Sequence, residues 1–170
     1  MSMQIWHESY PKNVQHTIHP EEYASVVEVF EKAVLMHGSR PAFSNMGATL
    51  TFLQVNELSK AFAAYLQQEL HLTKGDKIVL QMPNILQYPV ALYGALRAGL
   101  VVVNTNPLYT PREMQHQFKD SGAKAIVILA NFAHHLEKVI GQTHIKHVIV
   151  TELGDLLGFP KRLIVNTVVK

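Results

Sequence analysis

Cysteine is absent from this chain, which removes disulfides, thiolate zinc sites and cysteine nucleophiles together and fits a reducing compartment. Charge is sparse as well. Only 16% of residues are charged, the formal net charge is +2, and Lys and Arg are scattered rather than gathered on a basic face interleaved with aromatics. Nothing in that pattern points to nucleic acid as a partner. The opening MSMQIWHESYPKNVQ lacks a basic segment followed by an apolar core, so no secretion signal is visible. Long hydrophobic runs are missing too. The longest, Pro89 to Val103, spans 15 residues with Arg97 inside it, against the roughly 20 that a bilayer-spanning helix needs.

Signature motifs are equally scarce. The sequence contains no G-x-G-x-x-G turn and no G-x-x-x-x-G-K-[ST] loop, so an autonomous dinucleotide or P-loop site is not expected. None of the seven serines sits in G-x-S-x-G. Ten histidines raise the question of a metal, and His134-His135 and His144-x-x-His147 come close together, yet H-E-x-x-H is absent. They read as solvated or locally bonded side chains. Glu21-Glu22 read as helix-start charges, and Glu28 with Lys32 as a surface pair one helical turn apart.

What is present is apolar and ordered by period. Hydrophobic residues make up 48% of 170, enough for one domain, or one domain with a small appendage. Residues 1–19 read as an irregular arm. Pro20-Glu21-Glu22 reads as the first turn of a helix carrying Tyr23, Val26, Val27, Phe30 and Val34, with Gly38 as its stop. The stretch 42-AFSNMGATLTF-52 predicts a hairpin, and Thr51 with Gln54 predicts a capping box opening a second helix. After the turn 73-TKGD-76 the regime changes. The runs 77-KIVLQM-82, 100-LVVVN-104, 125-AIVIL-129 and 147-HVIVT-151 are apolar without alternation, as strands buried on both faces must be. Helical segments near 85–98, 111–121 and 132–141 separate them. The expectation is an α/β fold: an open, mainly parallel sheet flanked by helices in three consecutive βα units, preceded by a helix, a short hairpin and a second helix. The α/β unit is expected to run over 20–158. Residues 159–170 read as the start of an apolar helix without a C-cap, which suggests a piece of something longer.

Parallel strands end on one edge, and that edge is where open α/β sheets meet ligands. Asn84, Asn104, Asn106, Tyr109 and Asn131 fall there and are the candidate site residues, either facing a ligand or closing turns on their own backbone. The motif 101-VVVNTNPLYTPREM-114 also reads mechanically. Thr110-Pro111-Arg112-Glu113 is a helix start with cap, proline and capping glutamate, and Leu108 is placed to staple onto the helix near Met114.

The runs 75-GDKIVLQMPN-84 and 89-PVALYGALRAGLVVVNTNPLYTPREMQHQFKDSGAKAIVI-128, with 40-RPAFSNMGATLTFLQVNELSKAFAAYL-66 upstream, resemble the N-terminal region of long-chain fatty acid–CoA ligases of the adenylate-forming superfamily. NTNPLYTPRE points to the fatty acyl branch. The resemblance implies a parent enzyme that joins a fatty acid to coenzyme A through an acyl-adenylate, with ATP and Mg²⁺. It also implies that the phosphate loop, the adenine and ribose motifs and the catalytic lysine lie outside this stretch. No catalytic, cofactor or metal residue transfers onto a position here, and the chain is expected to bind none of those cofactors alone. The partners implied are the remaining subdomains, a second copy through the arm, and an anionic membrane touched by KRLIVNTVVK, in a cytoplasmic protein peripheral at the inner face. Two other readings stay open: a non-catalytic interaction module sharing the subdomain, and a small flavodoxin-like nucleotide binder.

Overall fold

The computed structural model describes residues 4–169, so the first three residues of the expected arm and Lys170, the last residue of the expected helix start 159–170, lie outside the described residues. The arm holds a 3₁₀ turn at Ile5–Ser9, and a second 3₁₀ turn covers Pro20–Glu22. That second turn does not open the first helix, as its proline and acids suggested. Tyr23 is extended, with φ −131° and ψ 133°. The helix α1 is Val26–His37, started by Ser25, whose hydroxyl accepts from the Glu28 amide at 3.1 Å. Glu28 answers by accepting from the Ala24 amide at 2.7 Å. That bond, and Lys32 beside it, hold the Glu28 carboxyl below its usual range. The Ser25 hydroxyl satisfies one orphan donor of the first turn, and Glu28 ties down the residue before the cap, neither of which the proline turn does.

The hairpin is β1 (Pro41–Asn45) and β2 (Ala48–Thr51), joined by Met46 and Gly47, both at positive φ (48° and 74°). A two-residue turn of that hand matches the right-handed twist of its strands. Thr51 and Gln54 form the expected capping box of α2 (Phe52–Gln68). There follow β3 (Lys77–Gln81), α3 (Gln87–Arg97), β4 (Val101–Asn104), α4 (Pro111–Ser121), β5 (Ala125–Leu129), α5 (Ala130–Glu137), a 3₁₀ turn at Ile140–Gln142, β6 (His147–Thr151) and α6 (Lys161–Val168). The four strands from β3 onward make one parallel sheet in the order β4-β3-β5-β6.

Two apolar layers explain why β3 and β5 are apolar without alternation. On one face Ile78, Leu80, Ala125 and Val127 pack under α2 and α3 with Leu66 and Ala95. On the other, Val79, Ile126 and Ile128 pack under α4 and α5 with Met114, Phe118 and Leu136. Each large side chain so buried stabilises the fold by about 1.5–3 kcal/mol. The helices α2 and α3 touch closely because Gly94 has no side chain: a Cβ there would lie 2.7 Å from a Phe62 ring carbon and 3.0 Å from the Ser59 carbonyl oxygen. Arg97, the charge inside the longest apolar run, reaches Glu31 of α1 at 2.6 Å and the Asn56 side-chain oxygen of α2 at 2.7 Å. One guanidinium thereby ties three helices together. No helix among the described residues is long and apolar enough to cross a membrane.

Candidate functional site

The carboxyl ends of the four parallel strands share one edge, and the corner after β4 is its most elaborated part. Thr105 is buried, its amide donating to the Leu80 carbonyl at 3.0 Å and its hydroxyl to the Gln117 side-chain oxygen at 2.7 Å. Gln117 returns to the same corner, donating to the Asn104 carbonyl at 3.2 Å. The Asn104 side chain accepts from the Tyr88 hydroxyl at 3.0 Å and so links β4 to α3. Asn106 closes a turn: its side-chain oxygen accepts from the Leu108 amide at 3.0 Å, and its carbonyl accepts from the Tyr109 amide at 3.1 Å. An asparagine oxygen imitates a backbone carbonyl in this geometry. Thr110 and Glu113 then form the expected capping box, and hydrogen bonds from the Thr110 hydroxyl and amide hold the Glu113 carboxyl below its usual range.

One detail of the corner differs from expectation. Leu108 is 76% exposed and staples nothing. Tyr109 packs instead against the cluster that holds Met114 and Phe118. The physical reason is position. With Thr110 as cap, the residue just before it meets the fourth helical residue, and that pair is Tyr109 and Met114.

The other candidate residues are placed apart from this corner. Asn84 follows β3 with its side chain exposed, and its carbonyl accepts from Asn45 of the hairpin at 3.3 Å. Asn131 lies in the first turn of α5, where its amide donates to the Val169 carbonyl at 2.6 Å. That bond is one of several holding the segment after β6. Asp155 accepts from the Glu152 amide at 2.8 Å and the Thr151 hydroxyl at 3.0 Å. Asn166 accepts from the Gly154 amide at 2.6 Å and donates to Asp155 at 3.2 Å. Gln87 of α3 donates to the Glu152 carbonyl at 2.8 Å. A hollow of about 220 Å³ remains between α6 and this edge, lined by Ala130, Asn131, Glu152, Leu153, Val165 and Asn166. The five candidates therefore do not converge on one point: Asn104, Asn106 and Tyr109 belong to one corner, Asn131 to another, and Asn84 to the hairpin side.

Residue reasoning missed the groups that organise the edge: Gln81, Thr105, Gln117, Asp155 and Asn166. Gln81 had a visible signal, as the one amide inside the buried run KIVLQM. It is fully buried, donating to the Asn106 carbonyl at 3.3 Å while its own side-chain oxygen has no partner. Asp155 and Asn166 carried no signal, because their pairing joins residues eleven apart through a turn that propensity does not specify.

The chemistry available at this edge is hydrogen bonding by neutral amides and hydroxyls at the corner after β4, and by the Asp155 carboxylate, with Arg162 at 3.9 Å, at the corner after β6. Of the carboxyls held below their usual range, Glu28 and Glu113 serve caps, and Asp76 lies at the opposite end of the sheet beside Lys124. Burial pushes the Tyr93 phenol up, but its ring stacks on Phe30 of α1, away from the edge. No three His, Asp or Glu among the described residues gather as a metal cluster. The arrangement can position backbone and orient loops. It offers no paired acid and base.

Fold and edge together define an open α/β unit with a parallel sheet, of the class whose ligands and partner segments meet the carboxyl ends of the strands. The chain belongs to the AMP-binding enzyme family, whose model matches residues 30–166. A long-chain-fatty-acid–CoA ligase of Yersinia pestis is 57% identical over 166 residues, which are 98% of this chain and 30% of that protein. A long-chain-fatty-acid–CoA ligase of Haemophilus influenzae is 55% identical over the same shares. The chain thus spans about 30% of the length of the curated relatives it matches. Among solved structures, the anthranilate CoA ligase AuaEII in complex with anthranoyl-AMP superposes with a TM-score of 0.72 at 20% identity, over 75% of this chain and 25% of that one. That likeness concerns the fold.

Proposed function

We propose that this chain is the first α/β subdomain of an ATP-dependent long-chain fatty acid–CoA ligase, and that it serves the enzyme as scaffold rather than as catalytic centre. In this reading the parent condenses a fatty acid with ATP to an acyl-adenylate and pyrophosphate, and coenzyme A then displaces AMP to give the thioester. The observation that carries the reading is the 57% identity to long-chain-fatty-acid–CoA ligases across 98% of the chain. The matched stretch spans the loop 104–110, where Asn104, Thr105, Asn106 and Thr110 are engaged in building a corner.

The residues present do not fit Mg²⁺ or a nucleotide phosphate. At the corner after β4, Asn104 is engaged by the Tyr88 hydroxyl, Asn106 by the Leu108 amide and Thr105 by Gln117, and the unpartnered oxygen of Gln81 is sealed from solvent, while no three acids or histidines among the described residues gather for a metal. ATP, Mg²⁺ and CoA belong, in this reading, to the part of the relatives' length that this chain does not span. The loops at Asn84, Asn104 to Tyr109 and Asn131 face those remaining subdomains and hold their register.

Two assays test the reading. The chain alone, given a long-chain fatty acid, ATP, Mg²⁺ and CoA, is expected to form no acyl-CoA, and measurable turnover would sink the scaffold claim. A chimera in which this chain replaces the matching stretch of the Yersinia pestis ligase is expected to retain thioester formation. A folded but inactive chimera would count against the ligase reading itself.

A further inference from the structure

We draw no further inference here: the strongest candidate, the apolar groove of about 260 Å³ where Phe62 of α2 and Val90 of α3 meet Val127 of β5 and Ile149 of β6, carries nothing, because the chain spans about 30% of its relatives' length and nothing in the structure shows what covers that groove.

Discussion

The corners after β4 and after β6 occupy the same edge of one sheet and are anchored by different forces. The first leads into α4, which buries Met114 and Phe118 completely in the core beneath it. Its polar bonds then fix the path of a chain that apolar burial already holds. The second leads into α6, which buries no residue and leaves Leu163, Ile164 and Val168 exposed. That helix stays in place through Asn166 and Asn131, each bonded to backbone. A corner anchored by burial opens only when the domain unfolds, whereas one anchored by a few exchangeable hydrogen bonds can open alone.

The largest blow to the comparison should come from Phe118→Ala. Removing a fully buried ring under the first corner is expected to cost about 3–5 kcal/mol of global stability in urea unfolding. A loss below about 1 kcal/mol would show that α4 is not the anchor. A paired substitution sharpens the contrast. Gln117→Ala strips the buried Thr105 hydroxyl of its acceptor and should cost about 1–3 kcal/mol, seen in the same global transition. Asn166→Ala should instead leave that transition within about 0.5 kcal/mol while amide exchange across 161–168 accelerates, as local opening requires. Equal behaviour of the two variants would erase the distinction between the corners.

The smallest effect belongs to the opposite end of the sheet and should disturb neither corner. The Lys124 ammonium at 2.6 Å, helped by the Thr73 amide, holds the Asp76 carboxyl below its usual range. A folded pKa below the unfolded one contributes stability that is present above about pH 4 and lost as pH falls through the folded value. Lys124 is half exposed, so the pair is worth about 0.2–1 kcal/mol. Lys124→Ala should therefore lower stability by that amount at pH 7, and the difference should vanish once acid has protonated Asp76 in both proteins. A difference that persists in acid would assign the effect to something other than this carboxylate.

Local rules carried much of the fold and only part of the edge. The boxes at Thr51–Gln54 and Thr110–Glu113 were legible because donor and acceptor lie three residues apart, within the reach of one helical turn. The four parallel strands were legible as apolar runs without alternation. The expected burial on both faces holds for β3 and β5 alone, since β4 and β6 lie at the two ends of the described sheet and leave Val101, Val148 and Val150 exposed. Two local readings went astray. Pro20 and its acids suited a helix start, but Ser25 caps the helix through the Glu28 amide while Glu28 holds the Ala24 amide before it. Leu108 suited a staple by hydrophobicity alone, while the cap position assigns that role to Tyr109. Asn106 could be read as a turn former, as it proves to be. That Asn104 would meet Tyr88 and Asn131 would meet Val169 lay beyond any local pattern.

The sequence by itself determined the class of sheet, the helix starts and the absence of cysteine chemistry, because periodicity, capping and composition act within a few residues. Tertiary structure alone decided the strand order β4-β3-β5-β6, the burial of Gln81 and the clamp on α6. Those depend on which residues meet across tens of positions, and chain closure over such distances is set by packing of the whole rather than by any local preference.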